Sequence, residues 1–149
     1  MNNLSSKKSA IACPSTFKTF SLALQALVVL EKQSGKCSSG DMAALLHTDA
    51  TMLRRILKAL VQEHIIEARE GRDGGYRLFK NASDISLAEV YLALRIHSTI
   101  ADSMIEAARE NCVGGQMKNV FSEIMSEIEE STLQVLKSHT IADIAEKMI

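Results

Sequence analysis

The chain has no tryptophan, and only four phenylalanines and two tyrosines among its 149 residues. Its core must therefore be built from Leu, Ile, Val, Ala and Met. Apolar residues make up 46% of the chain, which excludes wholesale disorder. Proline occurs once, at Pro14. Since proline breaks helix interiors, its scarcity favours a largely helical fold. The cysteines, Cys13, Cys37 and Cys112, are three in number and far apart. That argues against a disulfide framework and for a reducing, cytoplasmic compartment. No CxxC or paired His/Cys spacing is present, so a structural zinc site is not expected.

Long apolar runs are missing too. Leu22–Leu30 is nine residues with Gln25 inside it, too short to cross a bilayer. Lys7 and Lys8 precede Ile11-Ala12-Cys13 without the apolar segment that an export signal requires. No membrane partner is expected.

Net charge is almost absent, at −1, but the two halves differ. Residues 1–80 hold 12 Lys+Arg against 7 Asp+Glu, a net of +5, and residues 81–149 hold 5 against 11, a net of −6. A clustered basic half is the footprint of a domain that meets a polyanion.

The composition of residues 1–14 predicts a flexible tail. Phe17, Phe20, Leu24, Leu27 and Val28 recur at helical spacing, predicting a helix over Ser15–Gln33 that ends at Gly35. Ser38 with Asp41 three residues later forms a capping box for a short helix, Gly40–Leu46. Thr48 or Asp49 caps a third helix through Glu63. One face of that helix is apolar (Leu53, Ile56, Leu57, Leu60, Val61); the other carries Thr51, Arg54, Arg55, Lys58 and Gln62. A short helix, a tight connection and a basic-faced helix make a helix-turn-helix.

Residues 65–69 and 76–79 read as two strands joined by Glu70-Gly71-Arg72-Asp73-Gly74-Gly75, whose Asp-Gly step signals a hairpin. Arg69, Arg72 and Arg77 lie on and beside its tip. A hairpin after a helix-turn-helix is a winged helix, whose second helix enters the major groove while the wing contacts backbone or minor groove. Arg54, Arg55 and Lys58 share the face that would meet phosphates and guanine edges.

Ser86 and Glu89 cap a helix that continues to residue 97. Residues 98–115 are less regular, with a break at Asn111–Gly115. A long helix then spans Gln116–Lys137, and Thr140 caps a last one through Met148. Along the long helix Met117, Phe121, Ile124, Ile128 and Val135 form a near-heptad stripe with Ser131 in the skipped place, a pattern for helix pairing. The fold class is thus mainly α with a small β wing. Residues 15–82 form the winged helix-turn-helix, and residues 83–149 form a helical dimerisation and sensing region.

Several of these stretches are similar to one family. Leu53-Arg54-Arg55-Ile56-Leu57-Lys58-Ala59-Leu60, Ile65-Ile66, Gly71–Leu78 (GRDGGYRL) and Ile85–Val90 (ISLAEV) resemble the Rrf-two (BadM-type) family of bacterial winged-helix transcription regulators. The resemblance runs from Phe17 to the C-terminus, and GGYRL followed by ISLAEV is its most specific part. It implies a homodimer on a palindromic operator in double-stranded DNA, with Thr51, Met52 and Arg55 at recognition positions and Arg54 beside them. A common family wing reads Arg-Gly-x-x-Gly-Gly-Tyr, its arginine entering the minor groove. Here Glu70 stands in that place, and Arg69 or Arg72 takes over or the wing reads differently.

Cluster-binding members carry three cysteines before the long helix, where this chain has only Cys112. The resemblance is thus to the cluster-free branch, and no iron–sulfur cofactor is expected. Cys112, near a helix N-terminus that lowers thiol pKa, is a candidate redox sensor; an ordinary, partly buried cysteine is the alternative. Cys37 reads as core. The histidines form no convincing metal arrangement. A second candidate signal is a small molecule between the first helix, Tyr91 and the long helix. Enzymatic motifs are missing: the glycines are not GxGxxG and no Walker lysine follows them. The competing function is a winged-helix protein-interaction module without DNA binding, but such modules tend to lose the basic face that is kept here.

Overall fold

The computed structural model describes residues 12–33, 36–72, 74–108 and 112–148. Helix α1 spans Ala12–Lys32, α2 Ser39–Leu46 and α3 Ala50–Gln62. Strands β1 (Ile66–Arg69) and β2 (Gly75–Leu78) follow, then a 3-10 turn at Ala82–Asp84. The remaining helices are α4 (Leu87–Ala93), α5 (Ile96–Ala108), α6 (Cys112–Lys137) and α7 (Ile141–Lys147). This mainly helical chain with a small antiparallel wing is the expected fold class.

Helix α1 starts at Ala12, three residues before the expected Ser15. Pro14 does not prevent this, because it falls in the first turn, where a missing N–H breaks no helical bond. Ser38 Oγ accepts the Asp41 N–H at 3.1 Å, capping α2. His47, left-handed at φ 49, ends α2 and turns the chain. Of the two expected caps for α3 the structure uses Asp49, whose Oδ2 accepts the Met52 N–H at 2.9 Å.

The core forms around α1. Ala23, Ala26 and Leu27 meet Leu53, Leu57 and Leu60 of α3, Ile65 and Ile66 at the wing root, and Val90 of α4. Each fully buried Leu or Ile contributes ~1.5–3 kcal/mol by leaving water. Helix α7 packs back on α1 and the 3-10 turn. Ile141 is fully buried there, and its N–H donates to Ile85 O at 3.0 Å. The end of the chain is thereby tied to the helix-turn-helix half.

The wing strands are antiparallel, with Glu67 opposite Arg77 and Ala68 opposite Tyr76. At its root Cys37 adds a third, one-residue pairing: Cys37 N–H donates to Tyr76 O at 3.1 Å and Tyr76 N–H to Cys37 O at 2.9 Å. Gly75 permits that approach. It sits at φ +149, and a Cβ there would stand 2.9 Å from Cys37 O. Gly74 donates to Gly71 O at 3.0 Å and closes the tip. Asp73, and with it half of the expected Asp-Gly step, lies outside the described residues.

The middle of the chain corrects the sequence reading. The helix expected to reach residue 97 stops at Ala93. Leu94 and Arg95 turn the chain, Arg95 being left-handed at φ 54, and residues 96–108 form a helix instead of irregular chain. Buried Ile96, 2% exposed, anchors the new start. His97 is thus the second residue of a helix, not the end of one. Of the expected break at Asn111–Gly115, residue 111 lies outside the described residues, and residues 112–115 are helical instead: α6 begins at Cys112, with Gly114 and Gly115 in its first turn.

Candidate nucleic-acid interface

Helix α3 presents two unlike faces. Leu53, Ile56, Leu57 and Leu60 are at most 2% exposed, whereas Thr51, Met52, Arg54, Arg55, Lys58 and Gln62 are all exposed. Core packing of the first set fixes the helix rotation and so displays the second. No ion pair among the described residues occupies Arg54, Arg55 or Lys58, which leaves their donors for an external anion.

The wing divides its arginines. Arg77 pairs across the strands with Glu67 through its Nε, so it belongs to the wing's own structure. Arg69 and Arg72 remain exposed towards and at the tip. Lys80, just past β2, pairs with Glu89 of α4 at 2.7 Å and ties wing to body. Glu89 also completes the expected capping box with Ser86. The sequence placed all three arginines together, because cross-strand register is invisible until the hairpin closes.

The sensing candidates separate as well. Cys37 is buried at the wing root, and burial, then the charge of Asp41, pushes its thiol pKa up. A raised thiol pKa makes a poor nucleophile, consistent with a core role. Cys112 is the first residue of α6. Where a small molecule is expected, between α1, Tyr91 and α6, two contacts bridge the elements. The rings of Phe20 and Tyr91 meet edge to face at 5.6 Å, and the Tyr91 hydroxyl donates to Glu129 Oε2 of α6 at 3.1 Å.

Along α6 the stripe is uncovered: Ile128 is 52% and Val135 60% exposed, Met117 and Ile124 are exposed, and Phe121 is half-buried. Val120, not part of the expected seam, is exposed beside it. Among the described residues no helix is long and apolar enough to cross a membrane. Nor do they contain a group of three His, Cys, Asp or Glu side chains able to hold a metal ion.

A basic helix-turn-helix followed by a wing with two displayed arginines defines a winged helix-turn-helix DNA-binding transcription regulator. The profile of the Rrf2 family, described as an iron-dependent transcriptional regulator, matches residues 17–147, and the chain belongs to that family. Among curated relatives, YffB of Lactococcus lactis carries the name of an HTH-type transcriptional regulator. It is 29% identical over 114 residues, 74% of this chain and 72% of YffB. Two solved structures share the fold: a Lactobacillus plantarum protein titled as a transcriptional regulator and CymR, the global cysteine regulator of B. subtilis. The first has a TM-score of 0.70 at 20% identity, covering 87% of this chain and 89% of that one. CymR has 0.62 at 18%, covering 88% and 95%.

The family description implies iron, and the donor set does not fit a three-cysteine cluster. Of the three cysteines in the chain, Cys37 is buried in the wing root with its Sγ–H directed at Ser38 O, 3.6 Å away. Two cysteines remain, and Cys112 alone lies in the segment where cluster-binding members carry three.

Proposed function

We propose that this protein is a homodimeric, cytoplasmic repressor that binds a palindromic operator through α3 and the wing. The exposed basic face of α3 carries the reading. It holds Thr51, Met52, Arg54, Arg55 and Lys58 outward over a fully buried apolar face. Arg54, Arg55 and Lys58 contact phosphates and guanine edges in the major groove, with Thr51 and Met52 at the base edges. Arg69 and Arg72 contact the backbone or adjacent minor groove, in place of the arginine replaced by Glu70. Met117, Phe121, Ile124, Ile128 and Val135 pair two copies of α6, which spaces the two recognition helices for half-sites about one turn of DNA apart. Regulation is independent of an iron–sulfur cluster; oxidation of Cys112 or a bound small molecule supplies the signal.

Fluorescence anisotropy with duplex DNA from the protein's own upstream region, across a salt series, tests the core of this reading. Neutralising ~6–10 phosphates per dimer makes affinity fall by ~10³–10⁵ between low and moderate salt. Arg54→Glu/Arg55→Glu should flatten that slope and abolish binding. Flat curves for parent and variant alike would remove the repressor reading. For the thiol signal, Cys112→Ser should lose any response of DNA affinity to peroxide.

A further inference from the structure

The wing tip carries an acid among its arginines. Glu70 follows β1 directly, between Arg69 and Arg72, and all three are exposed. The acid of β1, Glu67, is spent on Arg77 across the strands. No described residue pairs with the Glu70 side chain. Its backbone is nonetheless fixed. Gly71, at φ +101, turns the chain, and Gly74 donates its N–H to Gly71 O at 3.0 Å. Gly74 packs so closely on the Arg69–Glu70 peptide that a Cβ there would clash with Arg69 O and stand 2.9 Å from Glu70 C. The tip thus presents a free carboxylate from a constrained turn, flanked by two guanidinium groups that no described residue occupies.

Beside phosphates a carboxylate weakens binding to DNA in general. What it can add is discrimination, by repelling the wrong sequence more than the right one. In the minor groove A·T pairs offer only acceptors, whereas G·C adds one donor, the guanine 2-amino group. A carboxylate only accepts hydrogen bonds. Narrow A·T-rich grooves also carry the stronger negative potential. Both effects act in the same direction. We propose that Glu70 is a specificity-determining residue, selecting a G·C pair in the minor groove beneath the wing by accepting from the guanine 2-amino group, while Arg69 and Arg72 hold the flanking phosphates. This rests on the DNA-binding reading and adds which base pair the wing selects.

The probe is the upstream duplex of the salt series in two forms, one ordinary and one with every guanine replaced by inosine. Inosine keeps the O6 and N7 that face α3 in the major groove and lacks the 2-amino group alone. In the anisotropy assay the parent should bind the inosine duplex about tenfold more weakly per half-site, the scale of one hydrogen bond to a charged group. Glu70→Ala should bind both duplexes alike. Glu70→Arg should reverse the preference, because a guanidinium is drawn to a groove of acceptors. A residue that only shapes the tip would give no such reversal.

Equal affinity of the parent for the two duplexes overturns the assignment. So does a preference that Glu70→Ala keeps in full, since the amino group would then act through groove shape. A parent whose affinity falls steeply with salt but ignores inosine keeps the DNA reading and loses this one. A parent that binds neither duplex loses both.

Discussion

The Tyr91 hydroxyl of α4 donates to Glu129 Oε2 of α6 at 3.1 Å. Tyr91 is 3% exposed, and the second carboxylate oxygen, Glu129 Oε1, is buried with no hydrogen-bond partner. The bond therefore spans the junction between the winged-helix body and the long helix. Its acceptor already carries one unmatched oxygen, so it tolerates little further loss.

Tyr91→Phe should cost ~1–3 kcal/mol, because it deprives a half-buried carboxylate of this donor while keeping the ring against Phe20. Urea denaturation would show it as a lower midpoint at unchanged slope. A midpoint within error of the parent would mean that water replaces the hydroxyl and that the junction is looser than described.

The same pair predicts a titration. Burial, and then the Glu129 carboxylate, pushes the Tyr91 pKa up to about 12 from 10.0. The unfolded chain gives up this proton first, so stability should fall as pH rises from 10 towards 12 and should not depend on this group below 10. Absorbance at the tyrosinate band should show one of the two tyrosines ionising late. Tyr91→Phe should abolish that late step.

Gly75 should resist replacement. At φ +149, with Cys37 O only 2.9 Å from the place of a Cβ, Gly75→Ala strains the wing root. The expected cost is ~1–3 kcal/mol, with lost amide-exchange protection at Cys37 and Tyr76. Gly40→Ala, inside α2 with only Ser38 Oγ near at 4.0 Å, should stabilise by ~0.5–1 kcal/mol. Thermal melts of the two variants should therefore move in opposite directions.

Ile128→Glu places a charge in the centre of the exposed α6 stripe. If that stripe pairs two copies, sedimentation should show a 16.3 kDa monomer where the parent sediments at twice that mass. Operator affinity should fall with it, since one half-site offers half the contacts. A parent that is monomeric at micromolar concentration would refute the pairing.

Much of the DNA-facing half is legible from local pattern. The apolar spacing of Leu53, Ile56, Leu57 and Leu60 fixes α3 and which of its faces is basic. Ser38, Asp49, Ser86 and Thr140 carry their capping chemistry in their identities, and each accepts the backbone N–H the pattern requires. The glycines after Arg69 specify a tight turn. Such features depend on neighbours within about four residues, and the chain order encodes them directly.

What tertiary structure alone decided is long-range. Leu94-Arg95 contains no glycine or proline, so nothing local announces that the chain breaks there; it does so where Ile96 is buried. Arg77 looks like its neighbours Arg69 and Arg72 until strand register sets it opposite Glu67. Cys37 meets Tyr76 and Tyr91 meets Glu129, over separations of about forty residues. Periodicity reveals that a face is apolar or charged but not which distant face it will meet. That choice falls to the packing of the whole core, and with it the division of the arginines between structural pairing and an open interface.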